Sequence, residues 1–305
     1  MRIHVYGDAS VIRAEDVPRP SAGPGEVLLR VAATSFNPSD VGLRRGLLRS
    51  VLPVDLPLTL GSEVAGTVVE VGHGVHTLAP GAPVIGRVDS GGTAAEYVTA
   101  AADTLVAAPA TVPLAHAAAV PVAGLTAWQA VFDHANVTPG QRVLVNGAGG
   151  GVGGFAVQLA RHAGAHVIAT AGPRSAATVR RLGAHQVIDY TTTALADALD
   201  EPVDAVLNLV ALDPQHAAAT LLPLLRPGGI AVSATVPIPV PTGSSLTTVQ
   251  FVARNDTTQL AALVALIDTG AVHLDITATR PLTDLPAVHR AAESGLLRGK
   301  TVLVP

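Results

Sequence analysis

The residues best suited to chemistry lie in the stretch Val143-Leu144-Val145-Asn146-Gly147-Ala148-Gly149-Gly150-Gly151-Val152-Gly153. Four β-competent positions run into clustered glycines, and a helical pattern follows over about 153–163, so the local order is strand, tight turn, helix. Such a turn accepts a pyrophosphate. Glycines at 147, 150 and 153 let the turn close, let backbone N–H groups approach an anion, and let the helix pack closely on the strand. The helix N-terminus adds a partial positive charge.

A turn of this kind that serves NAD places a carboxylate roughly 20 residues further on, at the end of the second strand, where it accepts from the ribose 2′-OH. Here that place is Thr170-Ala171-Gly172-Pro173-Arg174-Ser175, and no Asp or Glu occurs between Asp133 and Asp189. A guanidinium offers charge and paired hydrogen bonds to a 2′-phosphate, so Arg174 with Ser175 points to NADPH. The chain has no cysteine, which excludes disulfides and thiolate metal sites. His162 and His166 have a possible i, i+4 metal spacing, but Gly164 between them should stop the helix, and they read as a solvated pair. No metal site is expected.

These residues need a scaffold. From Arg142 onward, strands at 142–145, 166–170, 186–189, 205–209 and 229–234 alternate with helices at 153–163, 175–182 and 214–224, the pattern of a doubly wound parallel sheet. Before it, residues 1 to about 115 read as short strands between turn signals, a β-rich domain; 113–133 shifts to a helical period. The proline-rich segment 237–243 reads as a loop near a domain boundary. The pieces after it do not extend the alternation, so the chain is expected to return to the first domain. The expected division is 1–120, 121–255 as the dinucleotide domain, and 256–305.

With 49% hydrophobic residues in 305, the chain buries a sizeable core, and a net charge of −4 without a basic run argues against nucleic acid or a membrane surface as partner. The N-terminus is already strand-like, with no charged-then-apolar leader, and the apolar stretches are broken before spanning length; a soluble, untargeted, cytoplasmic protein is expected.

In order along nearly the whole chain, Gly61-Ser62-Glu63-Val64-Ala65-Gly66, Val69-Glu70-Val71-Gly72, Val122-Ala123-Gly124-Leu125-Thr126-Ala127-Trp128, the 147–153 glycines, Leu182-Gly183-Ala184, Val187-Ile188-Asp189-Tyr190 and Arg298-Gly299-Lys300-Thr301-Val302-Leu303 resemble the zinc-free quinone oxidoreductase branch of the medium-chain dehydrogenase/reductase superfamily. The resemblance implies an α/β protein with a Rossmann doubly wound domain and a GroES-like β-rich catalytic domain, the cofactor in the cleft between them, and hydride transfer from NADPH to a quinone or other conjugated carbonyl. It implies that Gly150, Gly151 and Val152 hold the pyrophosphate, that Thr126 lies near the nicotinamide end, that Tyr190 stacks on the adenine, and that Arg254 reaches the cofactor from the far wall. Thr170, Ser175 and Gly147 complete the expected cofactor set.

Zinc-dependent relatives carry a Cys and a His where this sequence has Asn37 and Ser62, so two ligands are replaced; Glu63 alone makes no site. Enoyl-thioester reductases of the superfamily use a tyrosine in the segment after the Asn-containing loop, and 41–48 has none. Asp40 and Ser39 are the nearest candidates for a proton donor and Asn37 for orienting a carbonyl oxygen, each being otherwise a turn residue. An enoyl reductase or tailoring enzyme, and a crystallin-like protein that binds NADPH without turnover, are the alternatives. A homodimer is expected through an exposed edge at Gly229-Ile230-Ala231-Val232-Ser233-Ala234 and the uncharged segment after it, with the prolines at 237, 239 and 241 arguing the other way.

Overall fold

In the computed structural model, which describes residues 1–50 and 53–305, the chain forms two units: Met1–Val122 with Asn255–Thr269 and Ile276–Pro305, and Ala123–Arg254 with Gly270–Asp275. In the first, β1 (Arg2–Ile3) pairs with β3 (Leu58–Thr59). The main sheet contains β2 (Glu26–Ser35), β4 (Glu63–Val71), β5 (Pro83–Arg87), β6 (Tyr97–Ala101) and β7 (Leu105–Ala107), and is completed from the other end of the chain by β14 (Ile276–Pro281) and β15 (Lys300–Val304). Its order is β14-β15-β2-β4-β5-β7, with β6 also on β2. Val27, Leu29 and Val31, two apart on β2, share one face and pack with Val64, Val68, Val84 and Val98 in one core. Around this sheet lie α1 (Pro38–Arg44), α2 (Leu114–Ala117), and, in the returning segment, α8 (Thr257–Asp268) and α9 (Leu285–Glu293).

α3 (Pro121–Trp128) leads into the second unit and continues as a π-helical turn over Gln129–His134. There β8 (Arg142–Asn146), β9 (His166–Thr170), β10 (Gln186–Ile188), β11 (Val203–Asn208), β12 (Leu225–Ser233) and β13 (Thr247–Gln250) make one parallel sheet in the order β10-β9-β8-β11-β12-β13. The connections are α4 (Gly151–His162), α5 (Pro173–Arg181), α6 (Leu195–Ala198) and α7 (Pro214–Leu221). Strand order reverses beside β8, which defines the doubly wound fold and puts its crevice at the carboxyl ends of β8 and β11. Val143, Leu144, Val145, Val206 and Leu207 are fully buried, as strands covered on both faces require.

One expectation needs correction. Residues 229–234 are not the edge of this sheet, because β13 pairs parallel to β12 outside them, Ile230 opposite Thr247 and Ser233 opposite Gln250. The proline-rich segment 237–243 is a loop, as expected, and lies within the second unit, which runs on to Arg254; Ile238, 4% exposed, packs into its core. The edge strand Thr-Thr-Val-Gln is short and half-exposed, so it carries little of the apolar pattern by which strands are read from sequence.

Candidate functional site

The glycine turn connects β8 to α4 at the carboxyl end of the sheet. Gly147 has φ 94, a left-handed conformation, and a Cβ there would come within 2.8 Å of Val210 Cγ2. A Cβ on Gly153 would lie 2.3 Å from Gly147 O and 2.6 Å from Ala148 Cα, so glycine at 153 is what lets α4 sit directly on the turn. Gly150 is the N-cap of α4 and is exposed; no side chain caps the helix, which leaves its first-turn N–H groups to an anion.

Polar side chains at the ends of four neighbouring strands fix this turn. Thr170 Oγ1 accepts from the Gly147 N–H (2.8 Å) and donates to Asn146 Oδ1 (2.9 Å). Asn146 Nδ2 donates to Asn208 Oδ1 (2.9 Å), and Asn208 Nδ2 donates to Ser233 Oγ (3.2 Å) and the Val210 carbonyl (3.1 Å). Thr170 therefore acts on the turn's shape, and Asn146, Asn208 and Ser233, which the sequence reading does not select, share that work. Each is the last residue of its strand, and only the register of the sheet brings them together.

α5 also begins without a side-chain cap, at Gly172, and carries Arg174 and Ser175 in its first turn. Ser175 lies against the glycine turn: a Cβ on Gly149 would be 2.3 Å from its Oγ. Tyr190 follows β10 and is 62% exposed, its hydroxyl 3.6 Å from where a Gly172 Cβ would stand. Thus Gly150, Gly151, Val152, Arg174, Ser175 and Tyr190 gather around one end of the sheet. Thr126 is half-buried in α3. Arg254 Nη2 is 2.8 Å from Asp133 Oδ2, and its backbone is bound both ways by Gln129, which ties it to the π-helical turn.

In the first unit, a second polar cluster is buried. Asn37 is the N-cap of α1, and Asp40 Oδ2 accepts from its backbone N–H at 2.9 Å. Glu63, fully buried, accepts through Oε1 from Ser35 Oγ, Asn37 Nδ2 (2.6 Å) and Lys300 Nζ (3.0 Å), and through Oε2 from the Val122 N–H (2.7 Å). Lys300 Nζ also donates to Asn37 Oδ1 (2.9 Å) and the Phe36 carbonyl (3.1 Å), so its three protons are all engaged. Burial, reinforced by the Glu63 charge, raises the Asp40 pKa from 3.8 to about 7, against the opposing Asn37 hydrogen bond and Lys300 charge. Ser39 is exposed on α1. Glu63 gains a partner that the sequence did not suggest, since Lys300 stands 237 residues away and meets it only because β15 joins β2.

Among the described residues, no three His, Cys, Asp or Glu side chains stand close enough together to hold a metal ion. His162 and His166 are both exposed, and His166 stacks on His185, ring centroids 4.5 Å apart. No helix among the described residues is long and apolar enough to cross a membrane.

A β-rich unit interrupted by a doubly wound dinucleotide-type unit defines the class of protein. Residues 23–110 match the alcohol dehydrogenase GroES-like domain and 182–303 the zinc-binding dehydrogenase family. The chain is 31% identical to human mitochondrial NAD(P)H oxidoreductase RTN4IP1, over 92% of this chain and 82% of that protein. It is 41% identical to a chloroplast envelope quinone oxidoreductase homolog of Arabidopsis thaliana, over 66% of this chain; the match spans 64% of that relative. The structure of Escherichia coli quinone oxidoreductase complexed with NADPH superposes with a TM-score of 0.90 at 27% identity, covering 100% of this chain and 99% of that one. The chain belongs to the quinone oxidoreductase branch of the medium-chain dehydrogenase/reductase superfamily.

Proposed function

We propose that the chain is a zinc-independent oxidoreductase that binds NADPH and passes hydride to a quinone or other conjugated carbonyl. The observation that carries this reading is the glycine turn opening on the uncapped N-terminus of α4, with Arg174 and Ser175 in the first turn of α5 beside it. The cradle fits the cofactor: Gly149 leaves room only for Ser175, and the exposed Tyr190 ring beside Gly172 is a platform for a flat base. When bound, NADPH supplies the hydride. The N–H groups of Gly150, Gly151 and Val152 hold the pyrophosphate, Arg174 and Ser175 the 2′-phosphate, and Tyr190 the adenine; Thr126 and Arg254 complete the set.

Of Asn37, Ser39 and Asp40, the group that titrates near neutral pH, and so can both hold and release a proton there, is Asp40. The Asn37 amide is held through its oxygen by Lys300 and through its nitrogen by Glu63, and that buried ammonium occupies the company a metal cation would need. The location is read as cytoplasmic. The assembly is read as a homodimer through the β13 edge.

The test is a titration of purified protein with NADPH, then NADH, followed by a panel of quinones and enones with and without chelator. The expected outcome is loss of nicotinamide absorbance with quinones, indifferent to chelator, and an NADPH preference of about tenfold or more that Arg174→Ala removes. Equal affinity for the two cofactors in the unsubstituted protein overturns the NADPH assignment, and binding without turnover of any acceptor reduces the protein to a cofactor binder.

A further inference from the structure

A cavity of about 440 Å³ opens in the second unit at the far end of α4 from the glycine turn, walled by Arg161, His162, Arg180, Arg181 and His273. We propose that it binds a small ligand bearing two or more linked phosphate groups, at a site separate from the dinucleotide cradle. α4 has twelve residues, so its two ends lie about 16 Å apart at the usual rise.

The basic side chains come from two helix ends. Arg161 and His162 are in the last turn of α4, and Arg180 and Arg181 in the last turn of α5. A cation at a helix C-terminus is ordinarily explained by the macrodipole. Three guanidiniums facing one concavity go beyond that, because they repel one another and, among the described residues, none is paired with a carboxylate. Arg161 Nη1 donates to the Gly183 carbonyl at 3.2 Å and lies 3.5 Å from His185 Nε2, Arg181 Nη2 donates to Thr178 Oγ1 at 3.3 Å, and all three arginines line the cavity. The sequence has the same bias: five arginines and no Asp or Glu lie between Asp133 and Asp189, in a chain whose net charge is −4.

The walls are set in place. Gln158, 5% exposed, accepts from the His273 N–H at 2.7 Å and donates to the His273 carbonyl at 3.0 Å, which clamps Gly270–Asp275 to α4. Gly183 has φ 111, and a Cβ there would be 2.4 Å from Arg161 Cδ, so glycine lets the Arg161 side chain lie across the backbone. Planar guanidiniums take up phosphate oxygens in pairs, and several together favour a ligand with several charges over a single carboxylate. The volume is in the range of small-ligand pockets.

The experiment is isothermal titration calorimetry in low salt, in the presence of saturating NADPH, with sodium tripolyphosphate and separately with ATP. One binding event is expected, weakening as salt rises, lost at least tenfold in Arg180→Ala/Arg181→Ala and retained in Arg174→Ala. All three side chains are exposed, and unchanged melting temperatures check that the variants fold. Equal affinity for the two probes assigns the site to a bare phosphate chain, and tighter binding of ATP assigns it to a nucleotide. No binding at millimolar probe overturns the proposal, as does binding that vanishes with Arg174 and is unmoved by loss of Arg180 and Arg181, which would put the anion in the cradle.

Discussion

Asp40 and His289 are buried titratable groups whose pKa values move in opposite directions. Burial, with the Glu63 charge, raises Asp40 to about 7; burial, with the Arg44 charge, lowers His289 from 6.5 to about 4. Between pH 4 and 7 the folded chain keeps the Asp40 proton that the unfolded chain loses, so this group makes stability fall as pH rises. Between pH 4 and 6.5 the folded chain lacks the His289 proton that the unfolded chain binds, so this group makes stability rise with pH. The two slopes largely cancel. Relative to the unsubstituted protein, Asp40→Asn is expected to gain stability toward pH 7, and His289→Leu to gain it toward pH 4, each by at most on the order of 4 kcal/mol. Urea midpoints between pH 4.5 and 7.5 check both, and parallel curves for all three proteins would contradict the burial argument. Lys300→Met leaves Glu63 buried with its cation gone, at a cost of about 3–5 kcal/mol. Lys300→Met/Glu63→Gln removes the stranded charge and recovers most of that loss in the same assay.

At the scale of elements, the turn between β8 and α4 is the most constrained piece of backbone in the site. Alanine at 153 would press its Cβ against Gly147 O and Ala148 Cα, both backbone, so the helix has to lift from the turn. Gly153→Ala is expected to cost about 1–3 kcal/mol and to weaken dinucleotide binding more than tenfold, because the same movement displaces the N–H groups at 150–152. Cofactor titration with a thermal melt measures both, and unchanged affinity would show that the turn tolerates a side chain. This element was legible in advance because its signals are local: apolar β-competent residues, then glycines at 147, 150 and 153, then a helical pattern. β13 was not, since Thr247–Gln250 is short, half-exposed and reached through a loop rather than a helix. Nothing local distinguishes such a strand from a continuing loop.

For the whole molecule, the edge that a second copy would use is β13. The Phe251 N–H donates to Ser233 O, so the N–H groups of alternate residues Thr248 and Gln250 point away from β12. Thr248→Pro removes one outward donor while leaving the β12 ladder intact, a position where an edge strand tolerates proline. Light scattering at micromolar protein is expected to give a dimer for the unsubstituted chain and a mass near 30.7 kDa for Thr248→Pro; a dimer in both would move the interface elsewhere. The sequence alone determined the dinucleotide turn, five of the parallel strands, the absence of an NAD-type acid and the candidates Arg174 and Ser175, because each rests on periodicity or spacing within a few tens of residues; Tyr190 entered only through the family resemblance. Tertiary structure decided what depends on distant strands meeting. It joined Lys300 to Glu63 and Asn37, lined up Asn146, Thr170 and Asn208 under the glycine turn, put a sixth strand outside 229–234, and drew Arg161, Arg180 and Arg181 around one cavity. Sequence separation hides such meetings, since the partners are chosen by sheet register and helix packing rather than by any local preference.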